Sequence, residues 1–167
     1  MRIPTTFVLL AAVAALLGGC SSPQPSYSTV RDEALEALAT IVNLMPADSV
    51  ATPRPEQDPY SCKDPLMGNG ADGAFHTAYW EVRVPPTMDI PAFIEELPSR
   101  LGDGWRAEDL GVASQNAQVY LVHDDPKLSI TVEQSRGESL AGIDLIAVSR
   151  CGISAPEEEP RTLHLGR

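Results

Sequence analysis

An apolar stretch near the start of the chain constrains everything that follows it. Residues 7–17 are all apolar, and Arg2 is the only charged residue before them. A helix needs roughly 20 apolar residues to cross the hydrocarbon of a bilayer, so eleven are too few. A basic residue followed by a short apolar core is typical of a signal peptide. We therefore expect the rest of the chain to fold outside the cytoplasm.

Two glycines and a cysteine follow the apolar stretch. The sequence Leu17-Gly18-Gly19-Cys20 resembles the lipobox of bacterial lipoproteins. The resemblance implies removal of residues 1–19 and a diacylglycerol on the Cys20 thiol, which would anchor the chain to the outer side of the cell membrane. Two or three acyl chains anchor a protein stably, since each buried CH₂ contributes about 0.8 kcal/mol. The alternatives are ordinary secretion with a free cysteine and a retained N-terminal helix.

The chain has three cysteines, Cys20, Cys62 and Cys151. If lipid occupies Cys20, as the resemblance implies, two cysteines remain in an oxidising compartment, and we predict the disulfide Cys62–Cys151. In the loop-entropy model a bridge that closes so long a loop stabilises a fold by about 4–5 kcal/mol. The alternative is a reactive or metal-binding thiol pair, but the sequence has no Cys-x-x-Cys motif and no nearby histidine cluster.

The acidic charge of the chain excludes several classes of partner. Removal of residues 1–19 takes away Arg2 alone among the charged residues, so the net charge goes from −11 to −12. Phosphate backbones and anionic lipid headgroups repel such a surface. We therefore expect no nucleic-acid partner and a membrane attachment that depends on acyl chains. The exported chain has a length that suits one domain with tails.

Two amphipathic segments predict helices. The first has Thr29 as its expected N-cap and ends before Pro46, with apolar residues at spacings of three and four. The second follows Asp89 and runs to Leu101. Pro98 lies late in this second helix, and we expect it to kink the helix or to split off the last turn.

Three other stretches predict irregular structure. Residues 20–28 are polar and contain proline, which indicates a flexible tether. Residues 46–73 carry five prolines and three glycines, which indicates a long loop within the domain that spans 29–153. Residues 154–167 contain an acidic run and are expected to be a disordered tail.

Alternation of apolar and polar residues predicts four or five strands. The expected strands are 74–84, 105–110, 117–122, 128–133 and 143–150. In the first of them, the set His76, Ala78, Trp80, Val82 and Val84 is the more apolar one near the C-terminal end, and we expect it to face the core there. Asp124-Asp125-Pro126 predicts a hairpin turn. The order favours an α+β fold, with an antiparallel meander, two helices on one face of the sheet and one disulfide.

A glycine-rich stretch matches a nucleotide motif only in its spacing. Gly68, Gly70 and Gly73 fit Gly-x-Gly-x-x-Gly, but a proline-rich loop precedes them and a strand is expected after them. The motif requires a helix there, so we interpret these glycines as turn formers. Asp64 and Asp72 lack the alternating ligands and the final glutamate of a calcium loop, so we predict no metal at this stretch.

The chain has no set of residues that predicts catalysis. Ser139 lies near a nucleophile-elbow pattern, but in an expected hairpin turn rather than a strand-to-helix turn. His123 and Asp124 are adjacent in a strand, where neighbours point to opposite faces. His76 lies in another strand and His164 in the tail, so no zinc site is predicted. We expect no enzymatic activity and no cofactor.

Four aromatic residues are compatible with a binding site for a small apolar ligand. Tyr79, Trp80, Trp105 and Tyr120 would either line a pocket for a small apolar ligand or form the core under the helices. Because aromatic residues make up only 5% of the chain, we favour the core.

The layout of the chain resembles small actinobacterial lipoproteins of unknown function, including the mycobacterial LppA-type group. The resemblance rests on the lipobox at Cys20, on Cys62 in the loop after the first helix, on Trp105 after the second, and on a last strand that ends at Cys151. It covers residues 30–155. It implies no catalytic residues.

The sequence leaves three functions to compare. We expect a lipid-anchored, non-enzymatic module of the cell envelope that binds a protein or another envelope component. The alternative is a carrier or sensor for a small apolar ligand at the membrane surface, which needs a cavity of roughly a few hundred Å³. The third is a hydrolase that uses His123 or Ser139.

Overall fold

The described part of the chain comprises residues 24–65, 70–135 and 142–153 of a computed structural model. In chain order it contains α1 (Tyr27–Asn43), β1 (Val50–Pro53), β2 (Tyr60–Ser61), β3 (Ala74–Phe75), β4 (Thr77–Arg83), α2 (Ile90–Leu101), β5 (Trp105–Glu108), β6 (Gln118–Asp124), β7 (Lys127–Gln134) and β8 (Gly142–Ser149). The leader, the lipobox with Cys20, Ser139 and the tail 154–167 lie outside the described residues.

Six of the strands form one antiparallel sheet in the order β1-β4-β8-β7-β6-β5. The last four strands of the chain pair consecutively, which is the predicted meander. β4 lies between β1 and β8, so the chain crosses the sheet through α2 to reach β5 at the far edge. β2 and β3 form a separate two-stranded sheet. The α+β class is confirmed, and the main sheet has one strand more than the largest number predicted.

Both helices pack on the same face of the sheet, which we call the covered face. α1 packs on β4 and β8, and α2 packs on β5, β6 and β7. Leu121, Ile130 and Leu145 point to this face from three different strands, and each is 0% exposed. Ala78 and Val82 are also buried there, as predicted for the first long strand. Burial of a leucine or isoleucine contributes about 1.5–3 kcal/mol relative to exposure, so this face holds the domain together.

α1 begins earlier than predicted. Its N-cap is Ser26 rather than Thr29, because the Ser26 Oγ accepts a hydrogen bond from the Thr29 backbone N–H at 3.1 Å. Tyr27 is only 6% exposed, and its backbone N–H donates to the Ile153 carbonyl at 2.9 Å. Periodicity could not reveal this contact with the far end of the chain. The last residues of the tether predicted over 20–28 therefore belong to the domain.

The segment 46–73, predicted as one long loop, contains two strands. β1 pairs with β4 at the edge of the main sheet, and β2 pairs with β3. Pro53 is compatible with β1 because an edge strand needs ladder hydrogen bonds on only one side. The predicted strand 74–84 is in turn divided at His76, where the chain passes from the small sheet to the main sheet.

α2 starts and ends where the sequence predicts. The Asp89 carboxylate accepts a hydrogen bond from the Ala92 backbone N–H at 3.1 Å. The helix continues through Pro98 to Leu101, so its last turn is not split off. Pro98 has no backbone N–H, so one helical hydrogen bond is missing there, and only three residues of the helix follow it. Gly102 follows with a φ of +83°, a conformation that favours glycine.

The predicted disulfide joins the small sheet to the end of the main sheet. Cys62 and Cys151 are bonded across a sequence separation of 89 residues, with their Cα atoms 6.1 Å apart. Cys62 is completely buried. We call this end of the molecule, where β6 and β8 finish, the disulfide end. The opposite end, where residues 109–117 connect β5 to β6, is the loop end.

Candidate functional site

The second face of the main sheet is not packed against either described helix, and we call it the open face. Strand register places its residues in three rows that cross the sheet. The mixed row is Thr77–Val148–Ser129–Val122–Arg106, the aromatic row is Tyr79–Ile146–Thr131–Tyr120–Glu108, and the acidic row is Glu81–Asp144–Glu133–Gln118. The order of the rows runs from the disulfide end towards the loop end.

The aromatic row gives the open face an apolar centre. Tyr79, Ile146 and Tyr120 are half-buried there with no helix above them. Val148 and Val122 extend the apolar area into the mixed row, and Val122 is 8% exposed. The solvated face of an antiparallel sheet is normally polar, so an apolar centre suggests a surface that contacts something else.

The acidic row borders this centre on the side of the loop end. Glu81 forms an ion pair with Arg54, and the Asp144 carboxylate accepts a hydrogen bond from Ser135 Oγ at 2.9 Å. Partial burial, and after it the charge of Asp144, raises the pKa of Tyr79. The described residues contain no group of three or more side chains placed to bind a metal ion. The row therefore forms a charged border of the apolar centre.

A groove of about 550 Å³ lies at the loop end. Leu110 and Val112 of the connection 109–117 line one side of it, and Tyr120 and Thr131 of the aromatic row line the other. Leu110 is 56% exposed and Val112 is 69% exposed. Two large apolar side chains thus extend the apolar centre beyond the sheet.

A second groove, of about 460 Å³, lies at the disulfide end of the open face. Val122 and Val148 are among the apolar residues that line it, and the cations that line it are Arg106, Lys127 and Arg150. The Arg106 guanidinium is already paired with Asp124 at 2.8 Å. Both grooves are open to solvent along the sheet, so neither encloses a small ligand.

His76, at the start of the predicted strand 74–84, is buried and contacts α1. His76 is 1% exposed, and its Nδ1 lies 3.0 Å from the Tyr27 hydroxyl. Its Nε2 has no hydrogen-bond partner among the described residues. Burial lowers the pKa of His76, while the nearby carboxylate of Glu56 opposes that shift and the charge of Arg31 adds to it. His76 is therefore a neutral packing residue at ordinary pH.

The histidine of the hydrolase hypothesis, His123, also has a packing role. The His123 ring lies 4.9 Å from the Trp105 ring, and its Nδ1 is 3.0 Å from the Pro126 carbonyl, to which it donates. Asp124 points to the other face of the sheet, where it pairs with Arg106. As predicted, the adjacent histidine and aspartate do not converge. Ser139 lies outside the described residues, so the hydrolase hypothesis has no assembled centre in the part that the structure describes.

The glycine-rich stretch leads into a strand and not into a helix, as predicted. Gly70 and Gly73 have positive φ angles, and β3 starts at the next residue, whereas Gly68 lies outside the described residues. A Cβ on Gly73 would lie 2.2 Å from the Gly152 carbonyl oxygen, so close packing requires glycine here. Lys63 forms an ion pair with Asp72 and lowers the pKa of that carboxyl group. Asp64 is buried, at 2% exposure.

The four aromatic residues considered for a ligand pocket lie on opposite faces of the sheet. Trp80 and Trp105 pack against the core on the covered face, as predicted. Tyr79 and Tyr120 belong to the open face, so the core role predicted for them was wrong. The sequence contained a signal for this, because β8 has apolar residues at successive positions and so on both faces.

Comparison with models of protein families, with curated proteins and with solved structures finds no match. The resemblance to LppA-type lipoproteins therefore stays an expectation from the sequence. In the described residues no helix is both long and apolar enough to span a bilayer.

Proposed function

We propose that this chain is a lipid-anchored, non-enzymatic module of the cell envelope that binds a partner protein through its open face. The observation that carries the proposal is the aromatic row, with Tyr79, Ile146 and Tyr120 at the centre of a face that neither helix covers. Leu110 and Val112 enlarge this apolar area at the loop end. The lipobox resemblance at Cys20 supports the anchoring.

The size of the open face suits a protein partner. Strands lie about 4.8 Å apart and rise about 3.3 Å per residue, so six strands of this length present roughly 25–30 by 20–25 Å. That area is close to the ~800 Å² that each side contributes to a standard protein interface. An apolar centre with a polar border is also the usual anatomy of such interfaces.

Charge favours a different protein over a second copy of this chain. The net charge is −11, so two copies repel each other, as do this chain and a nucleic acid. A partner that presents apolar side chains to the aromatic row and basic side chains to the acidic row would complement both. We therefore propose a partner with an apolar, basic surface.

The alternative of a small apolar ligand receives less support. The two grooves on the open face are open along the sheet, whereas carriers enclose most of a ligand's surface. For the hydrolase alternative, His123 is engaged in packing, and Ser139 lies outside the described residues.

Site-specific photo-crosslinking in cells tests the proposal. A photoreactive phenylalanine analogue replaces Tyr120 on the open face or, as the control, Glu95, which is exposed on α2. We expect one protein to crosslink at position 120 and not at position 95. The purified partner should then bind the purified domain, and Ile146→Glu should weaken the affinity at least tenfold by placing a charge in the apolar centre.

Three results would contradict the proposal. The first is equal capture at both positions, and the second is capture only of neighbouring lipoproteins. The third is a concentration-dependent dimer in sedimentation experiments that Ile146→Glu dissociates, which would make a second copy the occupant. Palmitate labelling of the wild type and of Cys20→Ala tests the anchor separately, and equal labelling of the two would refute it.

A further inference from the structure

The first described residues of the chain are fixed to the disulfide end by several contacts. The Pro25 carbonyl accepts a hydrogen bond from the Ile153 N–H at 2.8 Å, and the Tyr27 N–H donates back to the Ile153 carbonyl at 2.9 Å. The side-chain amide of Gln24 donates a hydrogen bond to the backbone carbonyl of Asp72 at 3.1 Å. These hydrogen bonds hold residues 24–27 against the disulfide end of the domain.

Residues 24–27 pack so closely on Gly152 that no side chain fits at position 152. A Cβ on Gly152 would lie 2.7 Å from the Ser26 carbonyl oxygen. Gly152 also exchanges backbone hydrogen bonds of 2.8 and 2.9 Å with Ala74 of the small sheet. The segment that contains Gln24 is thus one layer of a packed structure next to the disulfide, and it does not extend the tether.

Only four residue steps separate Cys20 from Gln24. An extended chain spans at most about 3.3–3.6 Å per residue, so the two Cα atoms are no more than about 14 Å apart. We propose that the disulfide end faces the bilayer and the loop end faces away from it. This inference rests on the proposed acylation of Cys20 and gives the proposed module an orientation.

The surface of the disulfide end is compatible with a nearby bilayer but does not bind one by charge. Ile153 is 55% exposed there, next to the start of the described chain. Of the cations at this end, Lys63, Arg150 and Arg106 are each paired with a carboxylate, and Lys127 is the one for which the described residues show no ion pair. Paired cations attract anionic headgroups weakly, so the tether and not a basic patch holds this end at the membrane.

The orientation also determines which kind of partner can reach the binding surface. β6 runs from the loop end to the disulfide end over seven residues, which is about 23 Å. Four large apolar residues are exposed among those that the structure describes, and three of them, Leu110, Val112 and Val50, lie at the loop end. The proposed partner is therefore a protein with a domain outside the bilayer, and it approaches from the side away from the lipid.

Paramagnetic broadening of amide signals tests the orientation on the full mature protein. Acylated, isotope-labelled protein is placed in nanodiscs that contain a lipid with a gadolinium-chelating headgroup. We expect broadening at Lys127, Leu128 and Ile153 to be several-fold larger than at Leu110 and Val112. The comparison needs no substitution in the domain, because the reporters are backbone amides.

Two control variants test whether the acyl anchor and the short tether cause the gradient in broadening. Cys20→Ala protein added to the same nanodiscs should show no gradient, because nothing holds it at the bilayer. Protein with twelve Gly and Ser residues inserted after Ser22 should show a weaker gradient, and an unchanged gradient would overturn the tether as its cause.

Acylation, verified by mass, separates failure of this inference from failure of the proposed function. An equal or reversed gradient in acylated protein overturns the orientation and leaves the module and its open face intact. Absence of acyl groups on Cys20 in the membrane-derived protein overturns the anchored module and this inference together.

Discussion

The covered face and the open face are built from alternate residues of the same strands. They differ in the reason why each face carries apolar residues. Leu145 points to the covered face and is 0% exposed, whereas its neighbour Ile146 points to the open face and is half-buried. The helices account for the apolar residues of the covered face. On the open face the Arg54 guanidinium lies over the Tyr79 ring, but no helix covers the apolar residues, and the function proposed above uses them for binding.

This difference separates stability from function within single strands. Substitutions on the covered face should act on the free energy of unfolding, and substitutions on the open face should act on partner affinity. One strand, β8, supplies both kinds of position, which allows matched experiments with neighbouring residues.

The largest effect is expected on the covered face. Leu145→Ala removes a fully buried side chain from the middle of the sheet and leaves a cavity. We expect it to lower the free energy of unfolding by about 2–5 kcal/mol. Chemical denaturation followed by circular dichroism measures this, and a loss below about 1 kcal/mol would mean that the core is not centred on β8.

The next effect concerns the bridge that supports both faces at the disulfide end. Replacing Cys62 and Cys151 together by alanine removes the link between the small sheet and the end of β8. We expect a loss of about 2–4 kcal/mol, which is below the ~4–5 kcal/mol of the loop-entropy model because residual structure in the unfolded chain reduces the freedom that it gains. Denaturation of the oxidised wild type and of the double variant gives the difference.

The bridge itself has an independent test in the wild type. Intact mass after alkylation should show no modification of Cys62 or Cys151 before reduction and modification of both after it. Two alkylated thiols in the oxidised protein would show that Cys62 and Cys151 do not form a disulfide.

A third effect is expected from the polar residue on the covered face. His76 is buried and neutral, so its pKa in the fold lies below the usual 6.5, with burial as the main cause. The unfolded chain therefore binds the proton more tightly than the folded one. The free energy of unfolding should fall as the pH drops below about 6.5, by at most about 1.4 kcal/mol per pH unit for one such group.

Two variants isolate this titration. In His76→Gln the decrease between pH 7 and pH 5 should be smaller than in the wild type, whatever the absolute stability of the variant. Tyr27→Phe keeps the histidine but removes its hydroxyl partner at 3.0 Å, so the pH dependence should persist. Identical slopes in the wild type and in His76→Gln would show that other groups, such as Glu56, control the acid response.

Much of the covered face could be predicted from the sequence, because burial leaves a periodic pattern. The stripe in α2, the N-cap at Asp89 and the alternation in β7 each predict their element. The disulfide followed once the lipobox resemblance was taken to occupy Cys20. The helix, its N-cap and the strand depend on residues that are close in the sequence, and the disulfide depends only on the number of cysteines.

The rest depends on contacts between distant parts of the chain. The pairing of β1 with β4 joins residues about 30 positions apart, and the start of α1 is fixed by Ile153 at the far end. Neither leaves a local pattern. The open face was missed for a different reason, since alternation was used to find a buried side and the other side was taken to be polar. Apolar residues on both sides of β8 were the available signal.

The smallest effect on stability is expected on the open face, where the effect on binding should be largest. Ile146→Thr keeps a β-branched side chain in β8 but makes the centre of the aromatic row polar. Because this position is half-buried and no helix packs on it, we expect a stability change of about 1 kcal/mol or less. Affinity for the crosslinked partner should fall about tenfold or more if Ile146 lies at the centre of the interface. Stability by denaturation and affinity by calorimetry, measured on the same preparation and beside Leu145→Ala, decide between the two roles. A loss of stability as large as that of Leu145→Ala would mean that the open face is buried in the isolated protein, and the division between a folding face and a binding face would then fail.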